Sequence, residues 1–325
     1  MAKVLLDIRD LHVCFNVYGG SLKVLNGVNL LMYEGEKVGL VGETGCGKTT
    51  IAKSILKILP VPPAKITNGH ILFKDRDILK MGEREIRNLH AQGISMIFQD
   101  PTAALNPVFT IGDQLMEAIK YSSVHDGLSK RDIYRRAIQS LQDVALPDPA
   151  RILECYPVQL SGGMRQRICI AMALATRSQL LIADEPTTSL DVTIQDQVLR
   201  LLGVLVQEKE TSTILITHSL GIVREWTQRV YVMYAGNMVE TAHTDDLFER
   251  PLHPYTQGLL KAVPKLTGEG IAKGIEGRIP DYLNPPKGCR FHPRCPKVMA
   301  MCRKERPDFF VRGNDHLVSC FLYKE

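Results

Sequence analysis

The segment Gly42-Glu43-Thr44-Gly45-Cys46-Gly47-Lys48-Thr49 fits the pattern G-x-x-x-x-G-K-[ST], whose chemistry is phosphate binding. Glycines at Gly42, Gly45 and Gly47 let successive backbone N–H groups turn inward around phosphate oxygens. A helix that starts near Lys48 and carries Thr49 and Thr50 in its first turn adds its positive dipole end. Lys48 is placed to reach the β- and γ-phosphates of a nucleotide, and Thr49 to ligate Mg2+. Further along, the apolar run Leu180-Leu181-Ile182-Ala183 ends in Asp184-Glu185. Asp184 is placed to hold Mg2+, directly or through water, and Glu185 to polarise an attacking water as general base. Gln99 ends another apolar run and can sense both metal and water. His218 follows a third and can bond the γ-phosphate from the carboxyl edge of a sheet, where α/β ligands bind. In Leu160-Ser161-Gly162-Gly163-Met164-Arg165-Gln166, Ser161 is a helix cap, and Gly162 and Gly163 permit a phosphate to approach the helix start.

These side chains need elements to hold them. Lys37-Val38-Gly39-Leu40-Val41 predicts a strand running into the glycine loop, followed by a helix over residues 49–59 with Ile51, Ile55, Leu56 and Leu59 on one side. Pro60, Pro62 and Pro63 are expected to end that helix. Strands are predicted at 4–15, 28–33, 94–98, 180–183 and 213–217, and helices at 111–121, 130–146, 164–176 and 193–208. Apolar strands alternating with helices predict an α/β fold with a mostly parallel sheet covered on both faces. Residues 100–160 read as an inserted helical subdomain. Beyond Leu266 the chain becomes rich in Gly and Pro, like a linker. The expected division is 1–245 and 246–325.

The chain has 325 residues, 45% of them hydrophobic and 23% charged, an ordinary balance for a globular protein with a large core. No apolar run approaches the ~20 residues of a membrane span. Met1-Ala2-Lys3-Val4-Leu5-Leu6-Asp7 lacks the apolar core of a signal peptide, which predicts a cytosolic protein able to dock on a membrane complex. Disulfides are accordingly not expected. The formal charge is +5, and residues 287–325, with nine Lys/Arg and four Asp/Glu, carry all of that excess. A nucleic-acid surface or a local counter-charge would each account for it. Four of the eight cysteines crowd into the same tail with the spacing Cys289-x5-Cys295-x6-Cys302-x17-Cys320. Structural zinc sites favour C-x2–4-C pairs, which are lacking, whereas loosely spaced thiolates suit a 4Fe–4S cluster. Small, unligated core residues are the remaining reading.

The order of glycine loop, Gln99, residues 160–166, Asp184-Glu185, Ser189-Leu190-Asp191 and His218 resembles the ATP-binding subunit of ABC transporters over roughly residues 4–240. The resemblance implies a P-loop NTPase of the ABC type, with a helical subdomain and a small, irregular C-terminal cluster-binding domain. It implies two subunits that sandwich two ATP molecules head to tail, Lys48 of one facing Ser161, Gly162 and Gly163 of the other, with Ser189, Leu190 and Asp191 joining the two sites. An aromatic ahead of the loop stacks on adenine in that family; Tyr18 is the first choice and Phe15 the second. His253-Pro254-Tyr255-Thr256, followed by Leu259-Leu260, is similar to the C-terminal extension of dipeptide/oligopeptide importer ATPases, as is Cys289-Arg290-Phe291-His292-Pro293-Arg294-Cys295-Pro296.

Such an ATPase pairs with a second, related ATPase and two membrane permeases at the cytoplasmic face of the inner membrane, and an external solute-binding protein delivers the peptide. The resemblance further implies that ATP closes the pair and that the helical insert, near Leu105–Leu115, moves the permease. Some of these relatives carry a 4Fe–4S cluster on four tail cysteines, so Cys289, Cys295, Cys302 and Cys320 are expected to hold one, with Zn2+ as the alternative. The basic tail would offset a residual charge of about −2 on such a cluster. A redox sensor with ATPase output is a further reading. Nickel, glutathione or oligosaccharide is the alternative cargo. A soluble ABC protein working on nucleic acid is the alternative class, but the chain lacks a long coiled-coil insert or second cassette, so no nucleic acid is expected. Cys46 departs from the Ser or Gly familiar at its position: either a small residue is tolerated there, or ATP binding is sensitive to thiol alkylation.

Overall fold

A computed structural model describes residues 3–123, 126–176, 178–187, 192–262, 274–313 and 315–324. The chain packs as two units, one made of Met1–Lys80 with Thr217–Glu325, the other of Met81–Ile216.

In the first unit, Val4–Val17 pairs antiparallel with Gly20–Tyr33 across a turn at Tyr18 and Gly19. Its other edge pairs antiparallel with Ala64–Phe73, which in turn pairs with Arg76–Asp77. Alternation of buried Leu6 and Ile8 with the more exposed Asp7 and Arg9 is what a sheet with one solvated face requires. Lys37–Val41, buried almost throughout, lies parallel to Arg229–Tyr234. That strand turns at Ala235 (φ 43°) and Gly236 (φ 81°) into the antiparallel Asn237–His243. Two central residues with positive φ make the tight hairpin turn that suits twisted strands. The tail then adds Leu317–Val318 to the edge of Asn237–His243, and Phe310–Val311 beyond it.

In the second unit, Ile94–Ile97, Leu180–Asp184 and Ser212–Ile216 run parallel in that spatial order. All five residues of Leu180–Asp184 are buried, and each fully buried Leu or Ile contributes about 1.5–3 kcal/mol. Helices Ile111–Ser122, Lys130–Asp143, Pro149–Glu154, Gly162–Ala175 and Val192–Glu208 accompany them. Their starts are legible as caps: Thr110 Oγ1 accepts from Asp113 N–H, and Ser129 Oγ from Asp132 N–H.

Three sequence expectations are corrected. The sheet content is not mostly parallel, because the first unit is largely antiparallel. The first helix is Lys48–Ile55 rather than 49–59. Lys57, at φ 54° and donating to Ser54 O, ends it before any proline is reached. The tail is not wholly irregular, since two short strands join it to the sheet. Among the described residues no helix is long and apolar enough to cross a membrane.

Candidate functional site

The glycine loop leaves the buried strand Lys37–Val41 and enters Lys48–Ile55 through Gly47. Gly42 sits at φ 153°, and a Cβ there would lie 2.1 Å from Met233 O and 2.9 Å from Cys46 Sγ. Gly47, the N-cap at φ 109°, would place a Cβ 2.8 Å from Leu25 Cδ2. Only glycine fits either position, and the loop so formed is a cradle of the kind that phosphates occupy. Lys48 is buried, and its Nζ donates to Gly42 O (2.8 Å) and Glu43 O (3.1 Å), which holds the ammonium across the loop. Thr49 and Thr50, half-buried, follow in the first helical turn. His218 Nε2 lies 3.4 Å from Thr44 Oγ1, so the structure brings this histidine to the loop. Tyr18 stands fully in solvent at the hairpin tip, while Phe15 is half-buried in the strand below.

Cys46 is fully buried, and burial pushes its thiol above the usual range despite the nearby Lys48 ammonium. The thiol is therefore protonated and shielded, and of the two readings of Cys46 the small tolerated residue fits the structure.

In the second unit Asp184 is the buried last residue of its strand, opposite Ile216. Glu185 takes φ 46° and donates its N–H to Ile216 O (2.8 Å), which turns its side chain off the strand end. Its Oε2 accepts from Gln99 Nε2 at 3.0 Å. Carboxylate and amide, 86 positions apart, are joined because Ile94–Ile97 and Leu180–Asp184 are neighbouring parallel strands. A carboxylate oriented by an amide can act as a general base on water. Ser161 caps Gly162–Ala175 by accepting from Met164 N–H at 3.3 Å, with Gly162 and Gly163 half-exposed at the helix start. The expected connector Ser189, Leu190 and Asp191 lies outside the described residues.

The tail cysteines overturn an expectation. Cys289, Cys295, Cys302 and Cys320 all line one small apolar cavity, shared with Phe291, Pro307 and Phe321. Yet among the described residues no group of three or more His, Cys, Asp or Glu side chains is arranged to hold a metal ion. Burial pushes the Cys289 and Cys320 thiols up to about 11 and raises Cys295 as well. A cluster or zinc site needs three or four such side chains brought together, so this arrangement overturns the iron–sulfur expectation. Of the tail's basic side chains, Arg290 donates to backbone carbonyls and Arg294 pairs with Glu43, while Lys297 lines the cysteine cavity. The structure thus supports neither an iron–sulfur segment nor its zinc alternative, nor a redox role built on them.

Residues that sequence reasoning missed surround the loop instead. Tyr255 Oη accepts from Glu43 N–H (2.9 Å), Tyr282 Oη donates to Gly45 O (2.7 Å), and Arg294 Nη1 donates to Glu43 Oε2 (2.9 Å). Their only sequence signal was membership in the two tail motifs for Tyr255 and Arg294, and none for Tyr282.

Comparison with known proteins bears on this arrangement. A family described as ABC transporter matches residues 25–188, and one described as the C-terminal region of the oligopeptide/dipeptide transporter matches 239–302. The dipeptide transport ATP-binding protein DppD of Bacillus subtilis is 47% identical over 99% of this chain and 95% of its own length. The oligopeptide transport ATP-binding protein AppD of the same organism is 44% identical over 99% of this chain and 97% of its own. Among solved structures, a dimeric ATP-binding cassette in a post-hydrolysis state bound to ADP and Pi aligns with a TM-score of 0.66 at 24% identity. It covers 74% of this chain and 99% of that one, and establishes the fold.

Proposed function

We propose a mechanism from one premise: the chain belongs to the ATP-binding proteins of the dipeptide and oligopeptide ABC transporters. It is an ATPase, the subunit whose hydrolysis of ATP powers import of di- or oligopeptides. The observation that carries this is the likeness to such proteins along nearly the whole chain, tail included, which a bare cassette would not produce.

In the first unit the loop from Gly42 to Thr50, with Gly45, Cys46 and Gly47 at its bend, cradles the phosphates. Lys48 reaches the β- and γ-phosphates, Thr49 offers its hydroxyl to Mg2+, and His218, held beside Thr44, bonds the γ-phosphate. Tyr18 is assigned to the adenine face, its ring fully exposed and so open to stacking. In the second unit Asp184 and Gln99 attend Mg2+, and Glu185, oriented by Gln99, takes the proton of the attacking water. When bound, Mg2+ neutralises charge developing on the phosphates. Ser161, Gly162 and Gly163 serve the nucleotide of a partner ATPase, with backbone N–H groups at a capped helix start.

The assembly is a pair of ATPases on transmembrane permeases. The finer assignments proposed here are a second, different ATPase as partner, an external binding protein as peptide donor, and a peripheral position on the cytoplasmic face of the inner membrane. Residues 1–245 are taken as the cassette, with the helical insert as coupling element, and 246–325 as the extension.

The test is reconstitution in vesicles with permeases and partner ATPase. Peptide-loaded binding protein is expected to stimulate ATP turnover, and Glu185→Gln to retain ATP binding while losing about 10²–10⁴-fold in kcat. Turnover indifferent to peptide, or unaffected by Glu185→Gln, refutes the assignment.

A further inference from the structure

A phosphate cradle works only if its N–H groups face inward, so something must hold its outward-facing groups. In this chain the holders come from the tail. Tyr282 Oη donates to the outward carbonyl of Gly45 at 2.7 Å. Tyr255 Oη accepts from Glu43 N–H at 2.9 Å. Arg294 Nη1 donates to the Glu43 carboxylate at 2.9 Å, with the arginine side chain 6% and the glutamate 26% exposed. The remaining arms of Arg294 are committed to the tail itself, Nε to Glu276 O (2.8 Å) and Nη2 to Ile275 O (2.9 Å). One guanidinium thus ties the tail to the loop. Arg290, from the same cysteine-flanked motif, donates to Ala235 O (2.5 Å) and Lys23 O (3.0 Å). It thereby fixes the turn whose Gly236 N–H bonds Cys46 O at 2.9 Å.

We infer that the C-terminal extension braces the phosphate loop, and that Tyr282 and Arg294 are positioning residues of the nucleotide site, acting through Gly45 and Glu43. This gives the two tail motifs a job in ATP handling, and it rests on the nucleotide reading of the loop. The brace is itself supported. The rings of Tyr234, Tyr255 and Phe291 pack at 4.7, 5.0 and 5.4 Å between centroids. Lys23 N–H donates to Tyr282 O at 2.9 Å. Burial raises both phenols well above their usual range, so Tyr282 stays a donor wherever the protein is folded.

The experiment titrates the full chain with MgADP and, in the reconstituted transporter, separates KM for ATP from kcat. Tyr282→Phe removes one hydrogen bond from a half-exposed ring and is expected to weaken MgADP about three- to tenfold. The loss should fall on KM rather than kcat. Arg294→Gln and Glu43→Gln should each weaken binding, and the double variant should lose no more than Arg294→Gln alone, because that change already removes the contact with Glu43 along with the other bonds of Arg294. Arg294→Lys, which keeps the charge but not the fork, should recover part of the loss. Unchanged MgADP affinity in Tyr282→Phe, or additive losses for Arg294→Gln and Glu43→Gln, overturns the brace. Should Arg294→Gln fail to fold, Tyr282→Phe decides alone. Lys48→Ala separates the two levels. If it binds MgADP as wild type does, the nucleotide reading fails; if it loses binding while Tyr282→Phe keeps it, only the brace fails.

Discussion

The sharpest quantitative consequence of the structure concerns acid. His253 is fully buried and caps the helix Pro254–Lys261, its Nδ1 accepting from Tyr255 N–H at 3.0 Å. That contact needs Nδ1 unprotonated, so the neutral ring carries its hydrogen on Nε2. Burial lowers its pKa from 6.5 to about 4, with the Glu240 carboxylate only partly opposing. Above pH 6.5 neither the folded nor the unfolded chain binds this proton, and His253 adds no pH dependence. As the pH falls below 6.5 the unfolded chain takes the proton and the folded chain does not until about pH 4. Stability is therefore lost through that window. At about 1.4 kcal/mol per pH unit the loss reaches about 3 kcal/mol. His253→Asn keeps a side-chain acceptor at the cap and abolishes the titration. The assay is urea unfolding of the full chain, followed by circular dichroism, for both proteins from about pH 7.5 to about pH 4.5. Carboxylates titrate in both and cancel in the difference. The variant is expected to gain on wild type by about 3 kcal/mol across the window. Parallel loss of stability in the two proteins would falsify the burial argument.

Two further outcomes follow from the loop. Gly42→Ala places a methyl 2.1 Å from the Met233 carbonyl oxygen at a backbone conformation that costs a side chain about 1–3 kcal/mol. MgADP titration should therefore show a loss of about tenfold or more, and wild-type affinity would mean that the strand end yields freely. Cys46 should resist iodoacetamide in the native chain while the half-buried Cys14 and Cys155 react. Peptide mass spectrometry reads this directly, and rapid native labelling of Cys46 contradicts its burial.

Much of the site could be read from residue types alone because the chemistry restricts them. Few arrangements besides a phosphate cradle need three glycines, a lysine and a threonine in that order between strand and helix. The buried strand Leu180–Asp184 announced itself as a continuous apolar run ending in carboxylates. The strand Gly20–Tyr33 did not, because Asn26 and Gly27 interrupt its alternation and its pairing with Val4–Val17 shifts register near Val13. The cysteines misled for a different reason. Spacing counts potential ligands but says nothing of how the fold arranges them, and among the described residues no three such side chains are set to hold a metal ion. Tyr282 was hidden in a stretch whose Gly and Pro content reads as linker, yet its hydroxyl bonds the centre of the loop.

That last contact bears on why a cassette should need an extension at all. A loop that reaches positive φ at Gly42, Gly45 and Gly47 has many alternatives open to it, since glycine loses more freedom on ordering than any other residue. Each residue fixed costs about 1–2 kcal/mol of conformational entropy. If nucleotide had to order the loop on arrival, that cost would come out of its affinity. Bonds from Tyr255, Tyr282 and Arg294 settle it at folding instead. They also couple the state of the tail to the state of the loop, because Arg294 cannot leave Glu43 without releasing Ile275 and Glu276 or stretching between them. Whatever disturbs the packing of Tyr234, Tyr255 and Phe291 should thus appear first as weaker nucleotide binding, before any loss of the sheet beneath.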